Sequence, residues 1–150
     1  MKKILSKLIA ASLLTLCVCS CSSNSGIKII QTDDAPAAIG PYSQGYIADG
    51  FLYTSGQIAI DPKTNVFKDG TIEEQTTLVI SNLIAIIKAA NTSIDKVIKT
   101  TCYLTDINDF SKFNAVYEQY FVSKPARSCV EVSALPKGAK VEIELVAYVG

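Results

Sequence analysis

The order in which strand-like and helix-like hydrophobic patterns follow one another along this chain is the strongest constraint on its fold. Strand-like runs come first, followed by a helix, a strand, a second helix and two closing strands. Elements in this order bury their apolar faces when both helices pack against one face of a sheet. The sequence therefore predicts a single α+β domain, and it shows no internal repeat or second domain.

The two helices have distinct signals. Thr71 and Glu74 have the spacing of a capping box, and Asn91 can end the first helix in a left-handed conformation. A second helix is predicted to begin after Asn108 or Asp109. It carries aromatic residues three, four and three positions apart, which favours a core-facing stripe over a ligand site. These aromatic residues are Phe110, Phe113, Tyr117 and Tyr120.

Strands are predicted on both sides of the helices. Asp49-Gly50 indicates a hairpin turn between strands at 42–48 and 51–55. Near the other end, a strand at 128–132 and a last strand at 140–148 are joined by a turn at 135–138. We expect these two closing strands to be neighbours in the sheet.

The first 20 residues have the pattern of an export signal. Lysines at positions 2, 3 and 7 precede an apolar run at 8–18, which is too short to span a bilayer. The run ends at Val18-Cys19-Ser20-Cys21, which resembles a bacterial lipoprotein cleavage box with Cys21 as the lipidated residue. The alternative is an ordinary secretory signal with incidental cysteines.

This pattern divides the chain into three parts. Residues 1–20 would be a signal peptide, 21–27 a lipidated cysteine and polar tether, and 28–150 the folded domain. We expect a lipid-anchored protein of the bacterial cell envelope, at the periplasmic face or in the outer membrane.

Removing residues 1–20 takes three lysines from the 14 basic residues, leaving 11 against 14 acidic residues. This balance and the lack of a basic patch make nucleic acid an unexpected partner.

Composition also limits the chemistry. The chain has no histidine, which excludes a Ser-His-Asp or Cys-His nucleophile system and a His-ligated metal site. Cys102 and Cys129 lie in apolar runs, so we expect free thiols, although an exported chain could pair them.

Arg127 is the only arginine among 14 basic residues. Its planar guanidinium can hold a carboxylate or phosphate through two parallel hydrogen bonds, so Arg127 is the first candidate for binding a small anion.

Other candidate residues have ordinary structural explanations. Alternation places Arg127 and Cys129 on one face of their strand. Glu142 lies on the expected neighbouring strand, which could bring a carboxylate close, but a solvated sheet face is the commoner explanation. Gly56 could let a ligand approach the backbone or could mark a bulge. Tyr42 alone would usually be a half-buried aromatic residue.

Several motifs occur together in one order. They are Ile39–Gln44, Tyr53–Ile58, Asp106–Phe110, Pro125–Val132, Leu135–Lys137 and Val141–Glu144. In this order and spacing they resemble the RidA/YjgF family of enamine/imine deaminases over about residues 28–149. The resemblance implies a chorismate-mutase-like fold with a mixed sheet, a homotrimer with clefts between subunits, and no cofactor or metal. The linker at 121–125 is shorter than in many members of the family.

The resemblance also implies an activity and a set of residues. The activity is hydrolysis of 2-aminoacrylate-type enamines and their imines to 2-keto acids and ammonia. The matching positions are Arg127 for the substrate carboxylate, Tyr42, Ser55, Gly56 and Asn114 for the pocket, and Glu142 with the backbone of Cys129 for the attacking water. One alternative is a non-catalytic module that binds a small carboxylate on the same scaffold. RNA cleavage, known for some relatives, is disfavoured by the acidic balance and the single arginine.

Overall fold

The computed structural model describes residues 26–150 as one six-stranded sheet with two helices and a separate two-stranded hairpin. The signal peptide and the lipidation at Cys21 that the sequence predicts lie outside the described residues. Within the described part, neither helix combines the length and apolar character needed to cross a bilayer. The elements are β1 (Lys28–Ile30), β2 (Gly45–Ala48), β3 (Phe51–Thr54), β4 (Ile60–Asp61), β5 (Val66–Phe67), α1 (Ile72–Ala89), β6 (Val97–Leu104), α2 (Phe110–Tyr120), β7 (Ala126–Glu131) and β8 (Val141–Tyr148).

The large sheet is mixed, with strand order β1-β2-β3-β8-β6-β7. Every pairing in it is antiparallel except that of β6 with β7, which is parallel. Parallel neighbours need a crossover connection, and α2 supplies it between β6 and β7. The single α+β domain with a mixed sheet is therefore confirmed.

Helix α1 begins where the sequence predicts. The Thr71 hydroxyl accepts from the Glu74 N–H at 3.2 Å, and the Glu74 carboxylate accepts from the Thr71 N–H at 2.8 Å. At its other end Asn91 adopts φ 57°. The helix buries Val79, Leu83 and Ile86 completely. Full burial of such side chains stabilises a fold by about 1.5–3 kcal/mol each.

Both helices cover the same face of the sheet, as predicted. The side chains that point toward them are almost fully buried: Leu52, Val97, Cys102, Leu104, Val141, Ile143, Leu145 and Ala147. The opposite face, here called the open face, carries Ile29, Tyr46 and Tyr53 side by side across β1, β2 and β3. These three side chains are 56%, 40% and 48% exposed. A single chain therefore leaves an apolar sheet face uncovered.

Three sequence-based predictions need correction. The closing strands β7 and β8 are not neighbours, because β6 lies between them. The reason is that α2 carries the chain back so that β7 runs parallel to β6, on the side of β6 away from β8. The strand predicted from Tyr42 starts only at Gly45, so Tyr42 lies in the preceding loop. Strand β7 begins at Ala126, which places Arg127 inside it rather than before it.

Candidate functional site

Arg127 is held by helix α2. Its Nη1 donates to Oδ1 of Asn114 at 2.9 Å, and its guanidinium carbon lies 4.6 Å from the centre of the Tyr117 ring. The rings of Phe110 and Phe113 are 5.5 and 5.9 Å away. A guanidinium stacks well on aromatic faces, and this stacking fixes its plane. The predicted proximity of Arg127 and Asn114 is therefore present within one chain.

The aromatic stripe of α2 does more than the sequence indicates. Phe113 and Tyr117 are buried as predicted, and the Tyr117 hydroxyl also lies 2.7 Å from the Thr100 hydroxyl of β6. Thr100 is the register partner of Arg127. The hydroxyl pair anchors the ring, and the ring in turn supports the guanidinium. Sequence spacing alone identifies the stripe as core but gives no signal that one ring also orients Arg127.

A cavity of about 340 Å³ opens beside Arg127, between the end of α2 and β7. We call it the Arg127 cavity. Within residues 26–150 Asn114 Oδ1 accepts from one Nη1–H of Arg127, and the other guanidinium N–H groups have no side-chain acceptor. Those donors are available to an anion. The cavity is lined by Asn114, Tyr117, Glu118, Phe121, Lys124, Pro125 and Arg127.

Strand β7 is an edge strand, and this exposes part of its backbone. Val132 donates its N–H to the carbonyl of Leu104 in β6 at 2.8 Å. Because backbone groups alternate in direction along a strand, the N–H and C=O groups of Arg127 and Cys129 point to the free edge. The backbone of Cys129 is therefore placed where it can bind a small ligand or a water molecule.

Cys102 and Cys129 face the helices as free thiols, as predicted. They are register partners on β6 and β7. Burial raises the pKa of Cys102 to about 12 and also raises the pKa of Cys129, which Arg127 partly offsets. A thiol with a raised pKa is a poor nucleophile at neutral pH. The geometry thus favours a role for the Cys129 backbone over one for its sulfur.

Glu142, Tyr42, Ser55 and Gly56 line a second cavity of about 260 Å³, here called the Glu142 cavity. Two local hydrogen bonds order the loop that forms one wall of this cavity. The Ser55 hydroxyl donates to the carbonyl of Ser43 at 2.6 Å, and the Tyr42 hydroxyl accepts from the Ile39 N–H at 3.3 Å. Four of the sequence-predicted residues are therefore brought together, but without Arg127, Asn114 or Cys129.

Gly56 and Glu142 fit against each other. A Cβ built on Gly56 would overlap Oε1 of Glu142 and lie 2.7 Å from its carboxyl carbon. The absence of a side chain at Gly56 is thus what lets the carboxylate lie over the backbone. Burial, followed by the charge of Glu144, raises the pKa of Glu142. A carboxyl group with a raised pKa is better suited to exchanging protons near neutral pH.

The neighbourhood of Arg127 and Glu142 that the sequence left possible does not exist within one chain. Arg127 shares a face with Thr100, whose side chain points to α2, whereas Glu142 is the register partner of Tyr103 on the open face. Residues directly opposite each other in a sheet point to the same side. The two side chains therefore project from opposite faces, and the simple argument from adjacent strands was wrong.

The element order and sheet topology define an α+β domain of the chorismate-mutase-like fold. The chain belongs to the RidA/YjgF family, since the family model described as Endoribonuclease L-PSP matches residues 32–149. A RutC family protein of Pyrococcus horikoshii is 53% identical over 122 residues, which are 81% of this chain and 97% of that protein. The 2-iminobutanoate/2-iminopropanoate deaminase of Bos taurus is 48% identical over 124 residues, 82% of this chain and 90% of that one.

Solved structures agree with this family. The Rid protein YyfA of Yersinia pestis superposes with a TM-score of 0.80 at 50% identity, covering 83% of this chain and 100% of that one. TdcF of E. coli, solved with bound serine, has a TM-score of 0.78 at 43% identity and covers 82% and 98%. At these identities the likeness extends beyond the fold to the family, and relatives in it carry the name of an imine deaminase.

Proposed function

We propose that this chain hydrolyses 2-imino acids, formed directly or by tautomerisation of 2-aminoacrylate-type enamines, to 2-keto acids and ammonia. The observation that carries the proposal is Arg127, whose guanidinium is fixed by Asn114 and Tyr117 while its other donors face a cavity. A planar fork held in this way matches the carboxylate of an imino acid. The deaminase name of relatives at 46–48% identity supports the same substrate class.

The reaction needs one water and one group that moves protons. Water adds its oxygen to C2 of the imine, the nitrogen gains a proton, and the resulting carbinolamine loses ammonia to leave the 2-keto acid. Glu142 would accept the proton of the water and return it to the leaving nitrogen, which its raised pKa favours. The backbone of Cys129 would help to position that water. Fixing the carboxylate and the water provides proximity, with no covalent intermediate.

The site is proposed to form between copies of the chain. The Arg127 cavity and the Glu142 cavity share no lining residue, and the Arg127 and Glu142 side chains project from opposite faces of the sheet. A ligand can contact both residues when the free edge of β7 in one copy meets the Glu142 cavity of the next. The same head-to-tail contact repeated around a closed ring gives identical sites, and the expected ring is a homotrimer. The uncovered apolar row on the open face supports such burial.

An activity assay tests the proposal. The purified protein is mixed with 2-iminobutanoate that an amino acid oxidase forms in the cuvette, and release of 2-oxobutanoate and ammonia is followed. We expect acceleration over buffer that saturates with substrate. A rate equal to that of buffer, with protein shown to be folded and oligomeric, would count against deamination.

A non-catalytic binding module is a second candidate, favoured by one observation. TdcF, at 43% identity, was solved with bound serine, a small carboxylate ligand. This alternative predicts saturable binding of 2-keto acids that requires Arg127, with no turnover of imines. RNA cleavage, named in the family description, would need RNA binding by a domain with more acidic than basic residues after residue 20. Salt-sensitive RNA binding by the purified protein would support it.

We also propose that the chain is exported and lipidated at Cys21. The support is the sequence pattern of residues 1–25 and the start of the family match at residue 32, after that segment. Strand β1 begins at Lys28, so seven residues at 22–28 connect Cys21 to the sheet, a reach of at most about 25 Å. Mass spectrometry of the protein from its membrane fraction tests this, and an unmodified Cys21 or an intact residue 1 would contradict it.

A further inference from the structure

We infer that Lys124 makes the Arg127 cavity selective for imino acids whose side chain ends in a second carboxylate. This inference rests on the proposed function and specifies its substrate class. The observation behind it is that Lys124 and Arg127 line the same cavity of about 340 Å³. Two basic residues line one space, and the carboxylate common to all 2-imino acids needs only one of them.

The backbone places Lys124 in a conformation that lysine does not favour. Helix α2 ends at Tyr120, and the chain turns so that the Lys124 N–H donates to the carbonyl of Phe121 at 3.0 Å. Lys124 has φ 53°, in the left-handed region that glycine or asparagine adopts at lower conformational cost. This turn brings Lys124 to the edge of the Arg127 cavity.

The charge of Lys124 is not neutralised by the protein around it. Among residues 26–150 the ion pairs join Lys68 to Asp61 and Lys140 to Asp69, so Lys124 has no carboxylate partner there. One acid, Glu118, lines the cavity beside the two cations. The lining side chains thus carry a net charge of +1, and Lys124 makes no ion pair with Glu118, so its ammonium can still pair with a ligand carboxylate when Arg127 holds another.

The spacing suits a short dicarboxylic acid. Lys124 and Arg127 are three positions apart in the sequence, so their Cα atoms lie at most about 11 Å apart. Arg127 is fixed by Tyr117 and Asn114, whereas the exposed Lys124 side chain can adjust its four-carbon stem. Arg127 would hold the carboxylate at C1, and the Lys124 ammonium would reach the one at the far end of the ligand.

A matched pair of substrates isolates this contact. An amino acid oxidase supplies 2-iminoglutarate from glutamate and 2-iminopentanoate from norvaline, which have the same chain length but differ in the distal carboxylate. The quantity measured is the ratio of kcat/KM for the two substrates with the full-length protein. Lys124→Gln should lower this ratio by roughly fivefold, the usual upper range for losing one solvent-exposed ion pair. Lys124→Arg should keep the ratio, and added salt should reduce it in the wild-type protein.

The control is Lys63→Gln, which removes the same charge from the exposed β4–β5 turn. An equal fall in the ratio for Lys63→Gln, or no change for Lys124→Gln, would overturn the inference and leave the deaminase proposal intact. If neither imine is hydrolysed, calorimetric binding of 2-oxoglutarate and 2-oxopentanoate replaces the rates. Preferential binding of 2-oxoglutarate that depends on Lys124 would then support the selectivity while the proposed reaction fails, and equal binding would overturn it.

Discussion

Arg127 and Glu142 point to opposite faces of one sheet, with strand β6 between the strands that carry them. Arg127 contacts α2, and Glu142 lies over Gly56 on the open face. No single small ligand can bridge them through the sheet. If both residues act on one substrate, two copies of the chain must each contribute a part of the site.

Mixed oligomers provide the most direct prediction. Arg127→Ala and Glu142→Gln should each be inactive, but an equal mixture that has been unfolded and refolded together should regain about a quarter of the wild-type activity. That fraction follows because a quarter of head-to-tail contacts in a randomly mixed ring unite the two intact residues. The refolded single variants are the controls. An inactive mixture that nevertheless contains mixed oligomers would show that the site is not shared between copies.

Arg127→Lys tests the role of the guanidinium plane. Lysine keeps the charge but loses the bidentate fork and the stacking on Tyr117. We expect kcat/KM to fall by roughly 30-fold, as for loss of one strong hydrogen bond to a charged group. Circular dichroism and the thermal midpoint should change little. Full activity in this variant would contradict the bidentate clamp.

Tyr117 offers a matched pair of variants. Tyr117→Phe removes the hydroxyl that meets Thr100 but keeps the ring under Arg127. It should lower the free energy of unfolding by about 1 kcal/mol and leave KM nearly unchanged. Tyr117→Leu should in addition raise KM. Equal KM values for the two variants would show that the ring does not support Arg127.

Gly56→Ala should displace the Glu142 carboxylate. The added Cβ would overlap Oε1, so the side chain must rotate or the loop must shift. A displacement of about 1 Å at a catalytic group can cost on the order of a hundredfold in rate. Adding Gly56→Ala to Glu142→Gln should then cause little further loss. A full multiplicative loss in the double variant would mean that Gly56 acts independently of Glu142.

Glu142 should also make stability depend on pH. Its pKa in the folded chain is raised, chiefly by burial, so the folded state holds the proton more tightly than the unfolded state does. Stability from this group is complete below the pKa of an unfolded glutamate and is lost as the pH rises through the raised folded value. Glu142→Gln should therefore raise the thermal midpoint at neutral pH and have less effect at acidic pH. The exposed Glu131→Gln variant is the control, and a gain independent of pH would contradict this origin.

Much of the fold could be predicted from local signals. The capping box at Thr71 and Glu74, the left-handed stop at Asn91 and the alternation in β8 all agree with the structure. The order of strands in the sheet could not be read in this way. Turn residues at 135–138 indicated that β7 and β8 were neighbours, whereas the crossover through α2 placed β7 beyond β6. Pairing of distant strands depends on tertiary packing that no local pattern encodes.

The site was also predictable only where local sequence signals identify a residue. Arg127 was identifiable as the only arginine, and the spacing of the α2 stripe indicated its buried face. That Tyr117 would also lie under Arg127 depended on the parallel register of Thr100 with Arg127. The cation of Lys124 had no sequence signal, since it stands in an irregular connection whose left-handed turn appears only in three dimensions.

Sequence changes in the connection at 121–125 can affect the Arg127 cavity without affecting the core or the Glu142 cavity. The connection borders the Arg127 cavity, yet of the residues at 122–125 none belongs to the buried core or the Glu142 cavity. Changes of length or charge in a surface connection have small thermodynamic cost. Changes at these positions can therefore alter the Arg127 cavity while the Glu142 cavity and the sheet stay the same, which makes this short segment a suitable target for redesign.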